Sequence, residues 1–176
     1  DPQFEARLSQ FIDRQFPGSS VGAVDQLTSG ASQQTFRVRT RSRDGVQRDY
    51  ALRRAQPGLV ASSQGQLSTS AEVALLRLAQ SASVPVPNVI CELEPRHDLG
   101  EGYLMEWLEG ETLGHRIVKL PELAEMRATL AYECGQTLAK IHALPVPHSL
   151  RRVLPCVSPE VLMRETWDAY IALNTP

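Results

Sequence analysis

The stretch Thr28-Ser29-Gly30-Ala31-Ser32-Gln33-Gln34-Thr35-Phe36-Arg37-Val38 runs, across an Asp44-Gly45 turn, into Tyr50-Ala51-Leu52-Arg53. Asp-Gly between two alternating segments is the strongest short-range signal for an antiparallel hairpin, because both residues tolerate the positive φ that tight turns require. From Val21 to Arg54 apolar residues recur with a period of about two, with β-branched and aromatic residues enriched, which predicts three antiparallel strands. The hairpin therefore begins at a glycine loop and returns along a strand that ends in a cation. Such an order of parts lets a sheet hold phosphate. Main-chain N–H groups beside Gly30 approach oxyanions with no Cβ in the way, the Ser29 and Ser32 hydroxyls add donors, and Arg53 brings a permanent, forked positive charge.

The flanking segments suit a sheet followed by helices. Phe4, Leu8, Phe11 and Ile12 fall at i, i+4, i+7 and i+8, one apolar stripe on a covering helix that Pro17-Gly18 ends. Residues 56–70 are rich in Gly, Ser, Gln and Pro and lead into a helix over 71–80 carrying Val73, Leu76 and Leu78. Val84-Pro85-Val86-Pro87 cannot continue that helix and is extended. A fourth strand is expected at Val89 to Leu93 and, after a turn at Asp98 to Gly102, a fifth at Tyr103 to Leu108. Beyond Gly110 the strand signals stop. Pro121 takes the first position of a long helix in which Leu123, Leu130, Cys134, Leu138 and Ile141 keep helical spacing. Residues 144–157 read as a Pro-rich connector, and Ser158-Pro159 opens a last helix with Trp167, Tyr170 and Ile171, whose apolar side is expected to pack against further helices. The expected class is α+β: a sheet-bearing unit over residues 1–109, with about five antiparallel strands plus helices, and from 110 to 176 the first helices of an incomplete helical unit.

Composition narrows the function classes. A chain of 176 residues, 42% of them hydrophobic, can bury the core of one domain or slightly more. A formal net charge of −2 argues against an electrostatic nucleic-acid binder. No apolar run approaches the roughly 20 residues that cross a bilayer, so no membrane is expected and a cytoplasmic location follows. Cys91, Cys134 and Cys156 are odd in number and widely spaced, which indicates neither a disulfide framework nor a zinc site. His97, His115 and His148 lack metal-ligand spacing; His142 reads as a core or helix-end residue, and Trp107 and Trp167 as packing residues.

Taken in order, Ser29-Gly30-Ala31-Ser32, Tyr50-Ala51-Leu52-Arg53-Arg54, Glu72, Val84-Pro85-Val86-Pro87, Leu104-Met105-Glu106-Trp107-Leu108-Glu109-Gly110 and Leu138-Ala139-Lys140-Ile141-His142 resemble the aminoglycoside phosphotransferase (APH) family of small-molecule kinases. Leu52-Arg53-Arg54-Ala55-Gln56-Pro57-Gly58 and Ser62-Ser63 are most similar to its branch related to the kinase-like domains of certain acyl-CoA dehydrogenases. The resemblance implies a protein-kinase-like N-terminal lobe, ATP and Mg2+ as cofactors, and transfer of the γ-phosphate to a hydroxyl of a small molecule. It implies that Ser29, Gly30, Ala31 and Ser32 cap the β and γ phosphates, although family members often carry two adjacent glycines and Ser29 takes the first place here. It also implies that Arg53 holds the α and β phosphates with Glu72 as partner, and that the Glu106 carbonyl and the Leu108 N–H read adenine. Met105 would line the rear of the pocket, and Val38, Ala51 and Val86 would add apolar walls. From the residues alone, Thr69-x-x-Glu72 also fits a capping box; the expectation is that Glu72 faces Arg53.

No H-G-D-x-x-x-x-N or D-F-G-like segment occurs in the sequence, and His97-Asp98, the nearest fragment, precedes the fifth strand. The chain thus reads as the N-terminal part of such an enzyme. It is expected to bind ATP weakly and transfer nothing by itself. The catalytic Asp and Asn, the metal-holding carboxylates and most of the acceptor site are expected in a further stretch of the parent polypeptide, on the order of 100 to 200 residues long. The alternative is a non-catalytic nucleotide-binding or regulatory module, and a third reading is an α+β interaction domain in which Gly30 and Arg53 are incidental.

Overall fold

The structure is a computed structural model and describes residues 2–27, 33–55, 67–154 and 157–174. Helix α1 spans Pro2–Gln15 and buries the Phe4, Leu8, Phe11 and Ile12 stripe. The strands β1 (Ser20–Leu27), β2 (Gln33–Arg41) and β3 (Gln47–Ala55) follow, then helix α2 (Thr69–Ser81), strand β4 (Val89–Glu92) and strand β5 (Gly102–Glu106). The five strands form one antiparallel sheet in the order β1-β2-β3-β5-β4, so the fold is α+β with a kinase-like five-stranded sheet. Gly45, at φ 83°, supplies the left-handed residue that lets β2 turn back into β3.

Side chains alternate across the pleat, and the two faces of the sheet do different work. Phe36, Val38, Tyr50, Leu52 and Leu104 point towards α1 and join Phe4, Leu8, Phe11, Ile12, Leu93 and Leu99 in the core. Each such side chain, removed from water, contributes about 1.5–3 kcal/mol, and that burial fixes which face α1 covers. Arg54 belongs to this face. Its guanidinium lies 4.1 Å from the Phe4 ring centroid and donates to Gln34 Oε1 at 2.9 Å and the Leu99 carbonyl at 3.2 Å; burial lowers its pKa. His97-Asp98 also faces α1: Asp98 pairs with Arg7 at 2.8 Å, and the His97 ring packs edge-on against Phe11 at 4.9 Å.

The opposite face carries Arg37, Asp49, Ala51, Arg53, Tyr103 and Met105. Ala51 lies opposite Arg37 on one side and Met105 on the other, and Arg53 lies between Thr35 and Tyr103. Helix α2 meets this face through Glu72. Val38 departs from the expected apolar wall: it pairs with Tyr50, has no exposed surface and faces the core. Val86 is half-buried in the extended segment before β4. The fifth strand ends at Glu106, short of the expected Leu108, because its antiparallel partner Tyr50 is the last β3 residue paired with it.

Beyond β5 the α-helices among the described residues are α3 (Gly114–Lys119), α4 (Ala124–His142), α5 (His148–Arg151) and α6 (Pro159–Asn174). Pro121 opens a 3-10 turn, Pro121–Leu123, and α4 begins only at Ala124. The Pro-rich connector contains α5, fixed by the buried Leu150. His142 closes α4 at its exposed end. Ser158 accepts from the Val161 N–H at 3.3 Å, the expected cap of α6, and Leu162, Met163 and Trp167 stand exposed along that helix. Among the described residues no helix is long and apolar enough to cross a membrane.

Candidate functional site

Arg53, Gln33 and Glu72 meet at the open end of the β2–β3 hairpin. The Arg53 guanidinium lies 3.1 Å (Nη2 to Oε1) from the Glu72 carboxylate, and its Nε donates to Gln33 Oε1. The Gln33 amide in turn donates to Glu72 Oε2 at 3.2 Å. A closed ring of three side chains from β2, β3 and α2 therefore holds the cation, while 39% of the Arg53 side chain stays exposed. Local helix chemistry explains why Glu72 is available. The N-cap of α2 is Ser68, whose hydroxyl accepts from the Ala71 N–H at 3.3 Å. A capping box on Glu72 needs Thr69 as the cap; with the cap one residue earlier, Glu72 moves about 100° around the helix and out of reach of the box. Ser62 and Ser63, part of the resemblance to the family branch, lie outside the described residues.

Tyr103 completes the ring from below. It is buried, and its hydroxyl is pushed up to about 12 by that burial, by the Glu72 charge and by a hydrogen bond to Glu72, against the opposing Arg53 charge. Gly102 allows β5 to approach. A Cβ there would stand 2.4 Å from the Arg53 carbonyl oxygen and 2.8 Å from Arg54 Cβ, so only glycine lets the strands pair at this point.

The end of β5 and the segment after it carry Met105, Glu106 and Leu108. Met105 lies on the Arg53 face, in register with Ala51. The Glu106 N–H donates to the Asn88 carbonyl at 2.9 Å and its carboxylate accepts from the Asn88 amide at 2.6 Å, which ties it to the start of β4. Leu108 is 59% exposed, and its N–H has no hydrogen-bond partner among the described residues. Ser29, Gly30, Ala31 and Ser32 lie outside the described residues. The structure thus brings Arg53 and Glu72 together, with Ala51 and Met105 side by side on the same face.

Sequence reasoning missed Gln33, Tyr103 and a second charged group centred on Arg37. Arg37 Nε donates to Asp49 Oδ2 at 2.7 Å, its Nη2 pairs with Asp49 and with Glu109 Oε1 (2.9 Å to the latter), and its Cζ stands 4.5 Å over the Trp107 ring. The indole N–H donates to the same Glu109 oxygen at 2.7 Å. Hydrogen bonding to Asp49 holds Arg37 above its usual value, aided by the charges of Asp49 and Glu109 and opposed by burial. The available signal was alternation: Arg37 and Asp49 share the parity of Ala51 and Arg53 on a correctly registered hairpin.

This arrangement, a hairpin whose terminal cation is held from α2 and a strand leading into an open segment, coincides with a family match. The model of the phosphotransferase enzyme family APH matches residues 23–169. The chain belongs to that family. No curated protein and no solved structure matches it significantly. The APH match runs from β1 into α6 and so includes both the Arg53 ring and the Arg37 group.

Proposed function

We propose that this chain is the ATP-binding portion of a small-molecule kinase that passes the γ-phosphate of ATP to a hydroxyl, in the APH branch related to acyl-CoA dehydrogenase-associated domains and in the cytoplasm. The observation that carries the reading is the Arg53–Gln33–Glu72 ring, which orients a half-exposed guanidinium without neutralising all of its donors. Arg presents several N–H groups in a planar fork, so it can keep its bonds to Gln33 and Glu72 and still offer others to phosphate. Ser29, Gly30, Ala31 and Ser32 would cap the terminal phosphates from the hairpin loop. A purine base would meet the Glu106 carbonyl and the unpartnered Leu108 N–H, with Ala51 and Met105 against its face.

Magnesium, when bound, neutralises phosphate charge. Among the described residues no three His, Cys, Asp or Glu side chains converge into a metal site. The role assigned to this chain is to hold the nucleotide. The Asp that orients the acceptor hydroxyl and the carboxylates that hold the metal are assigned to a part of the parent enzyme outside this chain, together with the acceptor pocket. Calorimetric titration of the chain with ATP and Mg2+ tests the reading. Binding that weakens roughly tenfold in Arg53→Ala is expected, with no ADP release above a heat-treated control across aminoglycosides, choline and sugars. Absence of ATP binding sinks the nucleotide assignment, and turnover sinks the assignment of the chemistry to another segment.

A further inference from the structure

Val38, expected as an apolar wall of the pocket, faces the core, whereas Arg37 shares the face of Ala51 and does something an apolar residue cannot. It lies directly opposite Ala51, which lies opposite Met105, so the three form one row across β2, β3 and β5. From the β2 end of that row the Arg37 side chain reaches back over β3 to Asp49 and on to Trp107 and Glu109. Those last two residues belong to the stretch after β5, residues 107–113, which has no regular secondary structure. Glu106 is fastened by Asn88, whereas Leu108 lies exposed between the two Arg37 partners. Arg37 ties this stretch to the sheet by an ion pair to Glu109 and a cation–π contact to Trp107.

We propose that Arg37 is a positioning residue for a purine base: by tying β2 and β3 to residues 107–109 it fixes the height of the slot between Ala51 and the main-chain groups of Glu106 and Leu108. The proposal rests on the nucleotide reading above and adds the part of the chain that prepares the base site. Arg suits the task because its planar fork serves two carboxylates at once while its face lies on an indole, a combination unavailable to Lys. An extended segment left untied samples many conformations, and ordering it on binding costs affinity; tying it beforehand removes that cost. Asp49 is mostly covered, whereas Glu109 is 73% exposed. The Glu109 arm is therefore the screenable one.

Adenosine is the probe, because it is uncharged and its affinity carries no phosphate electrostatics. In the full chain, Arg37→Met is expected to weaken adenosine binding about tenfold, Arg37→Lys to restore little of it, and Glu109→Gln, a substitution at an exposed side chain, to cost about threefold. Raising salt from about 0.1 M to about 1 M shortens the screening length from roughly 10 Å to 3 Å, so wild-type adenosine affinity should fall with salt while that of Arg37→Met stays flat. Amide exchange at Leu108 should quicken in Arg37→Met at an unchanged unfolding midpoint. Equal or tighter adenosine binding by Arg37→Met, with the wild-type salt response, overturns the proposal. A wild-type chain that binds neither ATP nor adenosine overturns the nucleotide reading instead, and the two failures are told apart by the wild-type titration alone.

Discussion

The Arg53–Glu72 pair can be tested by a double-mutant cycle in ATP affinity. Two unit charges 3.1 Å apart attract by about 5 kcal/mol at an effective dielectric of 20, but that gross figure is not what the pair contributes. Side-chain exposures of 39% and 23% leave water to screen both charges, and fixing two side chains costs entropy, so a coupling of about 1 kcal/mol is expected. The perturbations are Arg53→Met, which keeps length and removes charge, and Glu72→Gln, which keeps hydrogen-bonding groups for Gln33 and Tyr103 while discharging the carboxylate. Arg53→Met removes a charge-assisted bond to phosphate, about 1.5–3 kcal/mol or roughly 10- to 100-fold in ATP affinity. Glu72→Gln loses only the orientation of Arg53, about fivefold. In the double mutant there is no cation left to orient, so it should bind like Arg53→Met alone, a departure from additivity of about 1 kcal/mol. Calorimetry with ATP reads the cycle, and the same variants titrated with adenosine should show no change. Strictly additive ATP losses would mean that Glu72 acts independently of Arg53, and equal losses with adenosine would mean that Arg53 does not act on phosphate; either result refutes the reasoning.

Two further outcomes follow from the strands beneath that pair. Gly102→Ala forces a Cβ to within 2.4 Å of the Arg53 carbonyl oxygen; the obstruction is backbone, so the strands must separate at a cost of about 1–3 kcal/mol, read as a lower urea midpoint, with weaker ATP binding because Arg53 moves. Tyr103 should ionise near 12 where 10.0 is ordinary, as followed by phenolate absorbance in wild type against Tyr103→Phe. The folded state holds this proton more tightly than the unfolded one, so its stabilising contribution is whole below pH 10 and is lost as pH rises from 10 to about 12; a Tyr103→Phe variant whose stability shows the same alkaline decline would contradict the assignment.

How much of this could be read from the residues depended on whether a feature was local. The α1 stripe and the β2–β3 hairpin come from short-range periods, and Phe4, Leu8, Phe11 and Ile12 are buried as their spacing requires. Which face each hairpin residue joins depends on register, and register depends on the turn by a single residue. A two-residue Asp44-Gly45 loop would put Val38 opposite Ala51; the strands instead pair Val38 with Tyr50 and Arg37 with Ala51. That slip of one position exchanges an apolar wall for a guanidinium and was invisible without the pairing. The Arg53–Glu72 contact hung on a similar margin, since a helix capped at Thr69 in place of Ser68 would have turned Glu72 back on its own helix. Arg53 and Arg54 show the same parity rule in one dipeptide: identical side chains, Arg54 pinned against Phe4 of α1 and Phe36 of β2 and Arg53 held open by α2. If the sheet divides its faces between stability and ligand in this way, Arg53 and Arg37 should be separable by ligand. Arg53→Met should act on ATP and spare adenosine, Arg37→Met should act on both by the same factor, and a matching ATP-to-adenosine ratio in the two variants would leave no basis for assigning one to the phosphates and the other to the base.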